Sequence, residues 1–499
     1  MDATRPASST ETRQSVPITN FGGNISFVAP QWYAPRDEEE VLELLNRHAT
    51  GKVRVLGSLH SWSDVVVSAD ALVDMRHFSQ VEITNAGNGE VWARVGAGCS
   101  LQRLLNVLHQ ETDATLPTMG GIKKQTISGA ISTGTHGSGK PSLSHYMEEL
   151  RVAAYDPDTG QARIYDWRDG PELQAARCAL GCMGIILSVK FRCVPKYYVA
   201  EAIVHRNTLA EVLAEEEEFP LQQFILVPYC WKYFVYQRWI ADSSPTGWGM
   251  WRAYQKRAYS FLGVDILLHF LLKTIVMASS SEQGSSKSIQ WFYRTFLPRL
   301  IERKRSVLDF SENAITLRHD LFQHLEMEVF VSSRNVQRAV NIIRYITSVF
   351  AGLAEDVPED AASELQRIGK LEALTSYKGA YTHHYPIYFR RILPDDTLIS
   401  MTGGSSETYY SISFFTYLKP ESRKYFYEFA AFVARCLTQL CDARLHWGKY
   451  YPLTNEEIEG LFPGLKQFRQ ICEKVDPEGV FRNEYAERVL GFGRVSLPS

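Results

Sequence analysis

Hydrophobic and polar residues change their spacing along this chain near residue 196. Before that point, short β-branched strands such as Val53–Leu56 alternate with short helices such as Leu101–His109, for which Ser100 is the predicted N-cap. Beyond it, longer strands rich in aromatic residues alternate with long amphipathic helices such as Asn335–Leu353. The pattern therefore predicts an α+β chain with two regions of different character.

The second region is predicted to form an antiparallel sheet with helices on one face. Leu325–Val331 alternates like a half-buried strand, and Tyr409–Tyr417 is a second strand rich in aromatic residues. Each is followed by an amphipathic stretch long enough to form a helix, at Asn335–Leu353 and at Ser422–Leu440. Strands and helices that alternate in this way are typical of a sheet covered on one side.

Composition divides the chain into four predicted segments. Residues 1–23 are rich in small polar residues and are predicted to be a flexible N-terminal tail, without the apolar core of a secretory signal. Because 499 residues exceed one ordinary core, residues 24–198 and 199–440 are predicted to be two domains. Residues 441–499 form a C-terminal segment that begins with a basic and aromatic cluster.

The bulk composition is that of a soluble globular protein. The chain is 45% hydrophobic and 22% charged, and its net charge of -3 gives no indication of nucleic-acid binding. None of the eight cysteines forms a CxxC pair, and no metal site is predicted. Scattered cysteines are typical of buried free thiols in a reducing compartment. We therefore expect a cytoplasmic or intracellular membrane-associated protein.

One very apolar stretch, residues 261–278, tests that expectation. Asp265, His269 and Lys273 recur every four residues within it and would form a polar stripe on a helix. A membrane-spanning helix rarely carries such a stripe near its centre. The stretch is therefore predicted to be a helix packed into the protein, and the alternative is a surface helix that makes a peripheral contact with a membrane or a partner.

Three glycine-rich segments lie in the first region. They are residues 57–64, 94–100 and 128–139. Glycines let a backbone approach a phosphate closely, so three such loops in one domain favour a cradle for a long phosphate-bearing cofactor, and the alternative is that the glycines only make turns. No Gly-x-Gly-x-x-Gly motif opens a βαβ unit near the N-terminus, so a Rossmann site is not favoured.

These segments resemble the FAD-binding domain of the vanillyl-alcohol oxidase superfamily, also called the PCMH-type domain. In its aldonolactone and alditol oxidase branch a histidine in this Gly-x-x-His-Ser context carries FAD covalently, and His60 matches that histidine. His446-Trp447-Gly448-Lys449 matches a signature of the D-arabinono-1,4-lactone oxidase domain. The resemblance implies a two-domain flavoenzyme in which 24–198 binds FAD, 199–440 is an antiparallel-sheet cap for the substrate, and 441–499 returns to the flavin.

The resemblance also implies which residues hold the cofactor. His60 is expected to form the covalent bond, and His136 to hydrogen-bond within its loop rather than take part in the chemistry. The expected FAD-binding residues are His60, Gly57, Ser58, Leu59, Ser61, Gly121, Thr126, Ser128, Gly129, Ser132, Gly134, Thr135, His136, Gly137, Ile186, His446 and Lys449.

Three residues are expected to act on the substrate. Lys449 is expected to stabilise negative charge near the flavin. His384–Arg390 resembles the family strand that carries Glu-x-Arg, so Arg390 matches the arginine while Tyr388 stands where the family has a glutamate. Tyr388 could bind the substrate or act as an acid or base, and the alternative is that it only packs. Glu326 and Glu328 lie on a different strand, and the sequence does not place them in the site.

The expected reaction is hydride transfer from a hydroxyl-bearing small molecule to flavin N5, with dioxygen as the acceptor. Because Tyr388 replaces the family's carboxylate, ordinary aldonolactone or alditol specificity is in doubt. The alternative is a biosynthetic tailoring oxidase of secondary metabolism that acts on an aromatic or polyketide-like compound. A scaffold without activity is a third hypothesis, disfavoured by the presence of His60, Arg390 and Lys449.

Overall fold

The structure is a computed structural model that describes residues 10–87, 89–242, 244, 247–259, 273–274, 286–301, 303–315, 323–353, 359–419 and 422–492. The predicted helix at 261–278 lies outside the described residues, apart from residues 273 and 274. Among the helices within these ranges, none is long and apolar enough to cross a membrane.

Strands and helices alternate through the described ranges. The strands are β1 Glu11–Thr19, β2 Ser26–Ala34, β3 Val53–Leu56, β4 Ala71–Asp74, β5 Val81–Asn85, β6 Val91–Gly96, β7 Ala114–Thr115, β8 Met147–Tyr155, β9 Ala162–Trp167, β10 Ile185–Arg192, β11 Val194–Pro195, β12 Tyr198–Arg206, β13 Gln223–Val227, β14 Lys232–Ala241, β15 Arg303–Phe310, β16 Leu325–Ser332, β17 Ile387–Ile392, β18 Tyr409–Thr416 and β19 Arg444–Leu445. The α-helices are Glu38–Arg47, Leu101–Glu111, Ile127–Ser132, Gly170–Ala176, Leu209–Leu213, Gly247–Tyr259, Lys287–Trp291, Leu297–Ile301, Ser311–Ile315, Val336–Phe350, Glu359–Arg367, Leu371–Ser376, Lys424–Cys441, Asn455–Ile458, Leu465–Val475 and Glu484–Leu490. Short 3₁₀ turns lie at Asp64–Val66, Leu143–Tyr146 and Ser333–Asn335, and a π-helical turn at Phe292–Phe296.

The first region contains two large sheets and a two-stranded sheet of β7 and β11. A four-stranded sheet has the order β1-β2-β4-β3, and a five-stranded antiparallel sheet has the order β5-β6-β10-β8-β9. The helix Leu101–Glu111 buries its leucines in the core, and its N-cap is Ser100, whose side chain accepts a hydrogen bond from the Arg103 N–H at 3.2 Å. This confirms the predicted N-cap.

The prediction of a flexible tail over 1–23 is wrong for residues 11–19. They form β1, which pairs antiparallel with β2 from Glu11 opposite Ala34 to Thr19 opposite Ser26. Val16 and Ile18 pack into a small apolar cluster, while most of the other residues of the strand are exposed. β1 is an edge strand, so only one of its faces packs against the protein, and its backbone hydrogen bonds to β2 hold it in the sheet. Its mostly polar composition therefore did not indicate a strand.

An eight-stranded antiparallel sheet forms the second region, in the order β15-β12-β14-β13-β17-β18-β16-β19. The helices Val336–Phe350 and Lys424–Cys441 cover one face of its centre, where Phe414 contacts Phe429 with ring centroids 5.9 Å apart. β16 is buried along its whole length, so the prediction of a half-buried strand is wrong. Its second face looks onto other parts of the protein and not onto solvent.

The C-terminal segment joins the two regions. β19 pairs with β16 at the edge of the eight-stranded sheet, and the chain then returns to the first region. There the Val53 N–H donates to the Val480 carbonyl at 2.9 Å, and the Asn483 side chain donates to the Asp64 carbonyl at 2.8 Å. The segment therefore holds residues 446–449 between the glycine loops and the sheet.

Candidate active site

His60 lies in a loop that begins directly after β3. Leu59 has a φ of 57°, a left-handed backbone conformation that costs a non-glycine residue free energy. The Phe21 N–H donates to the Leu59 carbonyl at 2.9 Å, and the Phe21 ring stacks on the His60 imidazole with centroids 5.3 Å apart. Asn20 adds a hydrogen bond to the Ser61 carbonyl at 2.8 Å. Residues 20–21 therefore fix the orientation of the His60 loop.

The same loop is held by the His446–Lys449 segment, although the two are far apart in sequence. The Gly448 carbonyl accepts hydrogen bonds from the Trp62 N–H at 2.8 Å and from the Ser61 hydroxyl at 3.1 Å. The Ser63 hydroxyl donates to the Trp447 carbonyl at 2.7 Å. The two motifs on which the family resemblance depends are thus parts of one site.

Glycines of the first and third loops are required where the loops meet. A Cβ atom at Gly129 would lie 2.9 Å from the Thr126 hydroxyl, and one at Gly57 would lie 3.1 Å from the same oxygen. At Gly137 it would lie 2.7 Å from the Met119 carbonyl. Because side chains are excluded here, the loops present backbone and small hydroxyls, which fits the pyrophosphate-bearing chain of FAD.

Gly96 and Gly98 of the second loop have a different role. Their Cβ atoms would lie 2.4 Å from the Phe78 carbonyl and 2.0 Å from the Met75 carbonyl. They are needed where two backbone segments pack closely, which is neither of the two roles expected from the sequence. The loop still contributes to the arrangement, since the Ala97 carbonyl accepts a hydrogen bond from the Ser128 hydroxyl at 2.8 Å.

The structure brings the expected FAD-binding residues together around these loops. A pocket is lined by Gly121, His136 and Gly137 from the third loop region and by Arg390 from β17. Ile186 stands at the start of β10, against which the helix Ile127–Ser132 packs. The remaining expected residues lie in the loop after β3, in residues 126–137 or in the C-terminal motif: Gly57, Ser58, Leu59, Ser61, Thr126, Ser128, Gly129, Ser132, Gly134, Thr135, His446 and Lys449.

Tyr388 and Arg390 share one face of the eight-stranded sheet with two carboxylates. Tyr388 pairs with Ser413 of β18, and Ser413 pairs with Glu328 of β16, so the three side chains lie on the same face. Glu326 lies on this face as well, because residues two apart on a strand point the same way. We call this surface the polar face of the sheet: Glu326, Glu328, Tyr388, Arg390, Ser411, Ser413 and Phe415.

Lys449 is paired with Glu326. The ammonium donates a short hydrogen bond to the Glu326 carboxylate and lies 4.3 Å from the centre of the Trp62 ring. Burial raises the pKa of the Glu326 carboxyl above its usual value, although Lys449 and Arg390 act to lower it. A carboxyl in such surroundings is suited to bind and release a proton.

Glu328 is held differently. Burial alone would raise its pKa, but His136, with a smaller contribution from Lys449, holds the pKa of this carboxyl well below its usual range. His136 lies with Nε2 3.3 Å from the Glu328 carboxylate, and its Nδ1 donates to the Gly137 carbonyl at 3.1 Å. Glu328 is therefore a fixed anion.

His446 lies beside this pair and is neutral. Burial lowers the pKa of its imidazole well below the usual value. Its Nδ1 accepts the Gly448 N–H at 3.0 Å, which places the ring proton on Nε2. Side-chain atoms of His136, Glu328 and His446 lie within 4.8 Å of one another. A metal ligand needs a lone pair that faces the ion. In His446 the Gly448 N–H occupies the lone pair of Nδ1 and the ring proton is on Nε2, so the geometry is that of a hydrogen-bonded cluster.

Aromatic rings continue from Tyr388 to the His60 loop. Tyr388 stacks on Tyr385 at 5.9 Å and contacts Phe415 at 5.8 Å. Phe415 lies 5.6 Å from His324, which lies 5.4 Å from Phe21. We call these five residues the aromatic wall, and Phe21 joins it directly to His60. The wall gives this side of the site a continuous aromatic surface that reaches the His60 loop.

Sequence reasoning left Glu326, Glu328 and Phe21 out of the site. The alternation of acidic and apolar residues in β16 predicts a solvent-exposed acidic face, so it gave no signal that the two carboxylates are buried in the site. Phe21 gave no signal either, since it lies in a segment whose composition resembles a tail.

Two family models match the chain over most of its length. The model described as D-arabinono-1,4-lactone oxidase matches residues 189–489, which contain the eight-stranded sheet and the His446–Lys449 segment. The model described as FAD binding domain matches residues 30–158, which contain His60 and the glycine loops.

Relatives of known name match almost end to end. The chain is 40% identical to a long-chain alcohol oxidase of an uncultured marine euryarchaeote, over 94% of this chain and 96% of that protein. It is 23% identical to the L-gulonolactone oxidase of Bos taurus, over 96% and 99% of the two chains. Its fold is similar to that of cholesterol oxidase from B. sterolicum, with a TM-score of 0.70, 14% identity and 98% of each chain covered.

Proposed function

The chain belongs to the D-arabinono-1,4-lactone oxidase family, and from that membership we propose that it is an FAD-dependent oxidase acting on the hydroxyl group of a long-chain, largely apolar alcohol. The observation that carries the proposal is the aromatic wall. Its member Tyr388 occupies the position where the family resemblance would place a sugar-binding carboxylate. The 40% identity to a long-chain alcohol oxidase supports the same substrate class.

Physical chemistry favours an apolar substrate over a sugar lactone at this wall. A polyol carries several hydroxyls, and each one left unpaired in a desolvated site costs roughly 1–3 kcal/mol. Tyr388 offers one phenol where a carboxylate would accept two hydrogen bonds. An alkyl chain, in contrast, gains about 0.8 kcal/mol for every buried methylene.

The proposed chemistry divides between the cofactor and the protein. When bound, FAD would supply a two-electron acceptor that dioxygen can reoxidise, with hydrogen peroxide as the product. Lys449 and Arg390 bind and orient the reacting hydroxyl and stabilise the negative charge that develops on its oxygen. The aromatic wall excludes water, which strengthens these interactions.

We further propose that His60 is covalently bonded to FAD. Its loop is fixed on both sides, by residues 20–21 and by Gly448, so the imidazole has little freedom to turn away from the cofactor. After acid precipitation and proteolysis, the yellow colour should remain with the peptide that contains His60. Release of all the colour into the supernatant would refute the bond and leave FAD binding intact.

A chain-length series tests the substrate class. Peroxide production is measured with primary alcohols of increasing length, with aldonolactones and alditols, and with aromatic alcohols. We expect kcat/KM to rise about fourfold per added methylene until the pocket is filled, as burial of a methylene predicts. Lactones oxidised more efficiently than every alcohol would overturn the proposal. A clear preference for aromatic alcohols would instead favour a tailoring oxidase, in which the stacked Tyr385–Tyr388 pair would bind the aromatic ring of the substrate.

A further inference from the structure

Glu326 is the carboxyl on the polar face that is built to exchange a proton. It is 4% exposed, it shares its face with Tyr388 and Arg390, and it is paired with Lys449, which lies against Trp62 of the His60 loop. We propose that Glu326 accepts the proton of the substrate hydroxyl. From β16, Glu326 supplies the carboxylate that the family carries on β17 at the position of Tyr388. This inference rests on the proposed alcohol oxidation.

The two carboxylates of β16 are separated by their neighbours. Glu328 is held as an anion by His136, whose Nε2 lies 3.3 Å away, with neutral His446 beside it. Glu326 faces Lys449, Arg390 and Glu328, which are the charged groups that act on it from the C-terminal segment, β17 and its own strand. Neighbouring carboxyls whose environments move their pKa values in opposite directions are suited to different roles, and here only Glu326 has a raised pKa.

The proposed step oxidises the alcohol to an aldehyde. The O–H bond of the alcohol breaks and its proton moves to the Glu326 carboxylate. The C–H bond of the same carbon breaks, its electron pair leaves with the hydrogen to bound FAD, and a C=O bond forms. The alcohol loses two electrons and FAD gains two. Reoxidation by dioxygen consumes the proton held on Glu326, so the net products are an aldehyde and hydrogen peroxide.

Lys449 has a role on each side of this step. While Glu326 is ionised, the ammonium compensates its charge in the buried site, where an unpaired carboxylate would be costly. When Glu326 takes the proton, the same ammonium can stabilise the negative charge on the substrate oxygen that loses it. Glu326 and Lys449 therefore act as a pair, and removal of either should slow the loss of the proton.

The test compares Glu326→Gln with Glu216→Gln. Glu216 is a matched control, because it is also a buried carboxyl with a raised pKa, but it bonds to Tyr410 and lies near Arg391, which point to the opposite side of the sheet. Anaerobic flavin reduction is followed by stopped flow at saturating long-chain alcohol across pH. We expect Glu326→Gln to slow reduction by about 10²-fold or more, Glu326→Asp to restore part of it, and Glu216→Gln to leave it unchanged.

Two readouts separate a proton acceptor from a structural role. In the wild type the reduction rate should fall as pH drops and Glu326 becomes protonated, and this acid limb should be missing in Glu326→Gln. Infrared titrations of the wild type and of Glu326→Gln should differ by one protonated-carboxyl band, which the wild type loses as pH rises and the variant lacks. In Glu326→Gln the FAD content should change little. The affinity for a long-chain tertiary alcohol, which has no C–H bond on its carbinol carbon, should also change little.

The outcomes distinguish the two proposals. If Glu326→Gln keeps the acid limb, or slows reduction no more than Glu216→Gln does, Glu326 is not the proton acceptor. Weakened binding of the tertiary alcohol with an unchanged reduction rate would assign Glu326 to binding alone and would also overturn the inference. If no alcohol reduces the flavin of the wild type, the proposed function fails first.

Discussion

On its helix-covered face the eight-stranded sheet presents Phe224, Phe389 and Phe414, whereas its polar face presents Tyr388, Arg390, Glu326 and Glu328. Both faces are shielded from solvent at the centre of the sheet, and residues that are neighbours in sequence serve opposite purposes. The difference lies in how each face is stabilised. Apolar burial stabilises the helix-covered face, whereas the pairing of charges offsets the cost of burying the polar face.

The polar face shows the cost of placing chemistry inside a protein. Buried carboxylates are tolerated only when they are paired, and each here has its own partner, Lys449 for Glu326 and His136 for Glu328. Replacing such pairs with apolar residues would often be neutral or stabilising. Their presence is therefore explained by function better than by stability, and substitutions on the two faces should have separable effects.

The largest expected effect is on stability, from Phe389→Ala. The Phe389 ring is fully buried and stacks on Phe224 with centroids 4.6 Å apart. Removing it should cost about 3–5 kcal/mol in the free energy of unfolding, measured by denaturant titration. The flavin reduction rate of the protein that remains folded should stay close to that of the wild type. A loss of rate without a loss of stability would mean that the two faces are not separable.

Lys449→Ala should produce the converse result. Loss of an ammonium aimed at developing charge in a site shielded from water should slow flavin reduction by about 10²- to 10³-fold, the scale of removing an oxyanion donor. FAD content should be retained, and stopped-flow reduction at saturating substrate is the measurement. Lys52→Ala is a matched control, since Lys52 bonds to the Gly479 carbonyl and to Glu487 outside the site. An unchanged rate in Lys449→Ala would place Lys449 outside the chemistry.

Tyr388→Glu should change specificity more than rate. A carboxylate at this position can accept two hydroxyl hydrogen bonds, each worth roughly 1–3 kcal/mol when it satisfies a buried partner. The ratio of kcat/KM for an alditol or aldonolactone over a long-chain alcohol should therefore rise by about tenfold or more. Tyr388→Phe, the control, should keep the alcohol preference. A wild type that already oxidises lactones at about 10⁴ M⁻¹s⁻¹ or more would show that this interpretation of Tyr388 is wrong.

The smallest expected effect comes from Phe21→Ala. Its ring contributes an aromatic contact to His60 of about 0.5–1.5 kcal/mol beyond its buried area. We expect the covalently bound fraction of FAD to form several times more slowly, measured by acid precipitation at intervals after FAD is added to the apoprotein. Phe21→Tyr retains the stacked ring and should behave like the wild type. Equal rates in all three proteins would show that Phe21 does not position His60.

Local signals in the sequence predicted much of this fold. The Ser100 cap, the helix that follows it and the strands at β3, β16 and β18 are set by nearby residues, so periodicity and capping chemistry were sufficient to predict them. The flavin loops and the His446–Lys449 segment were recognised because their residues match a family motif. The resemblance implied that the C-terminal segment returns to the flavin, whereas the Gly448 hydrogen bonds that join the two motifs were found only in the structure.

The rest depended on pairing between distant strands. Nothing near Glu326 in sequence indicates that β16 lies beside β18, or that β18 lies beside the strand of Tyr388 and Arg390. The register between them decides which face each side chain joins, and a shift of one residue would turn Glu326 away from the site. β1 was missed for a related reason, because its stability comes from hydrogen bonds to β2 and not from its own composition.

One measurement tests the central claim, that the polar face and the glycine loops together form a site for flavin-dependent oxidation of a long-chain alcohol. The purified protein is mixed anaerobically with a long-chain primary alcohol, or with the same alcohol carrying two deuterium atoms on its carbinol carbon, and flavin absorbance is followed. The account predicts that the alcohol bleaches the flavin and that deuteration slows the bleaching severalfold. A flavin that aldonolactones bleach and long-chain alcohols do not would contradict it.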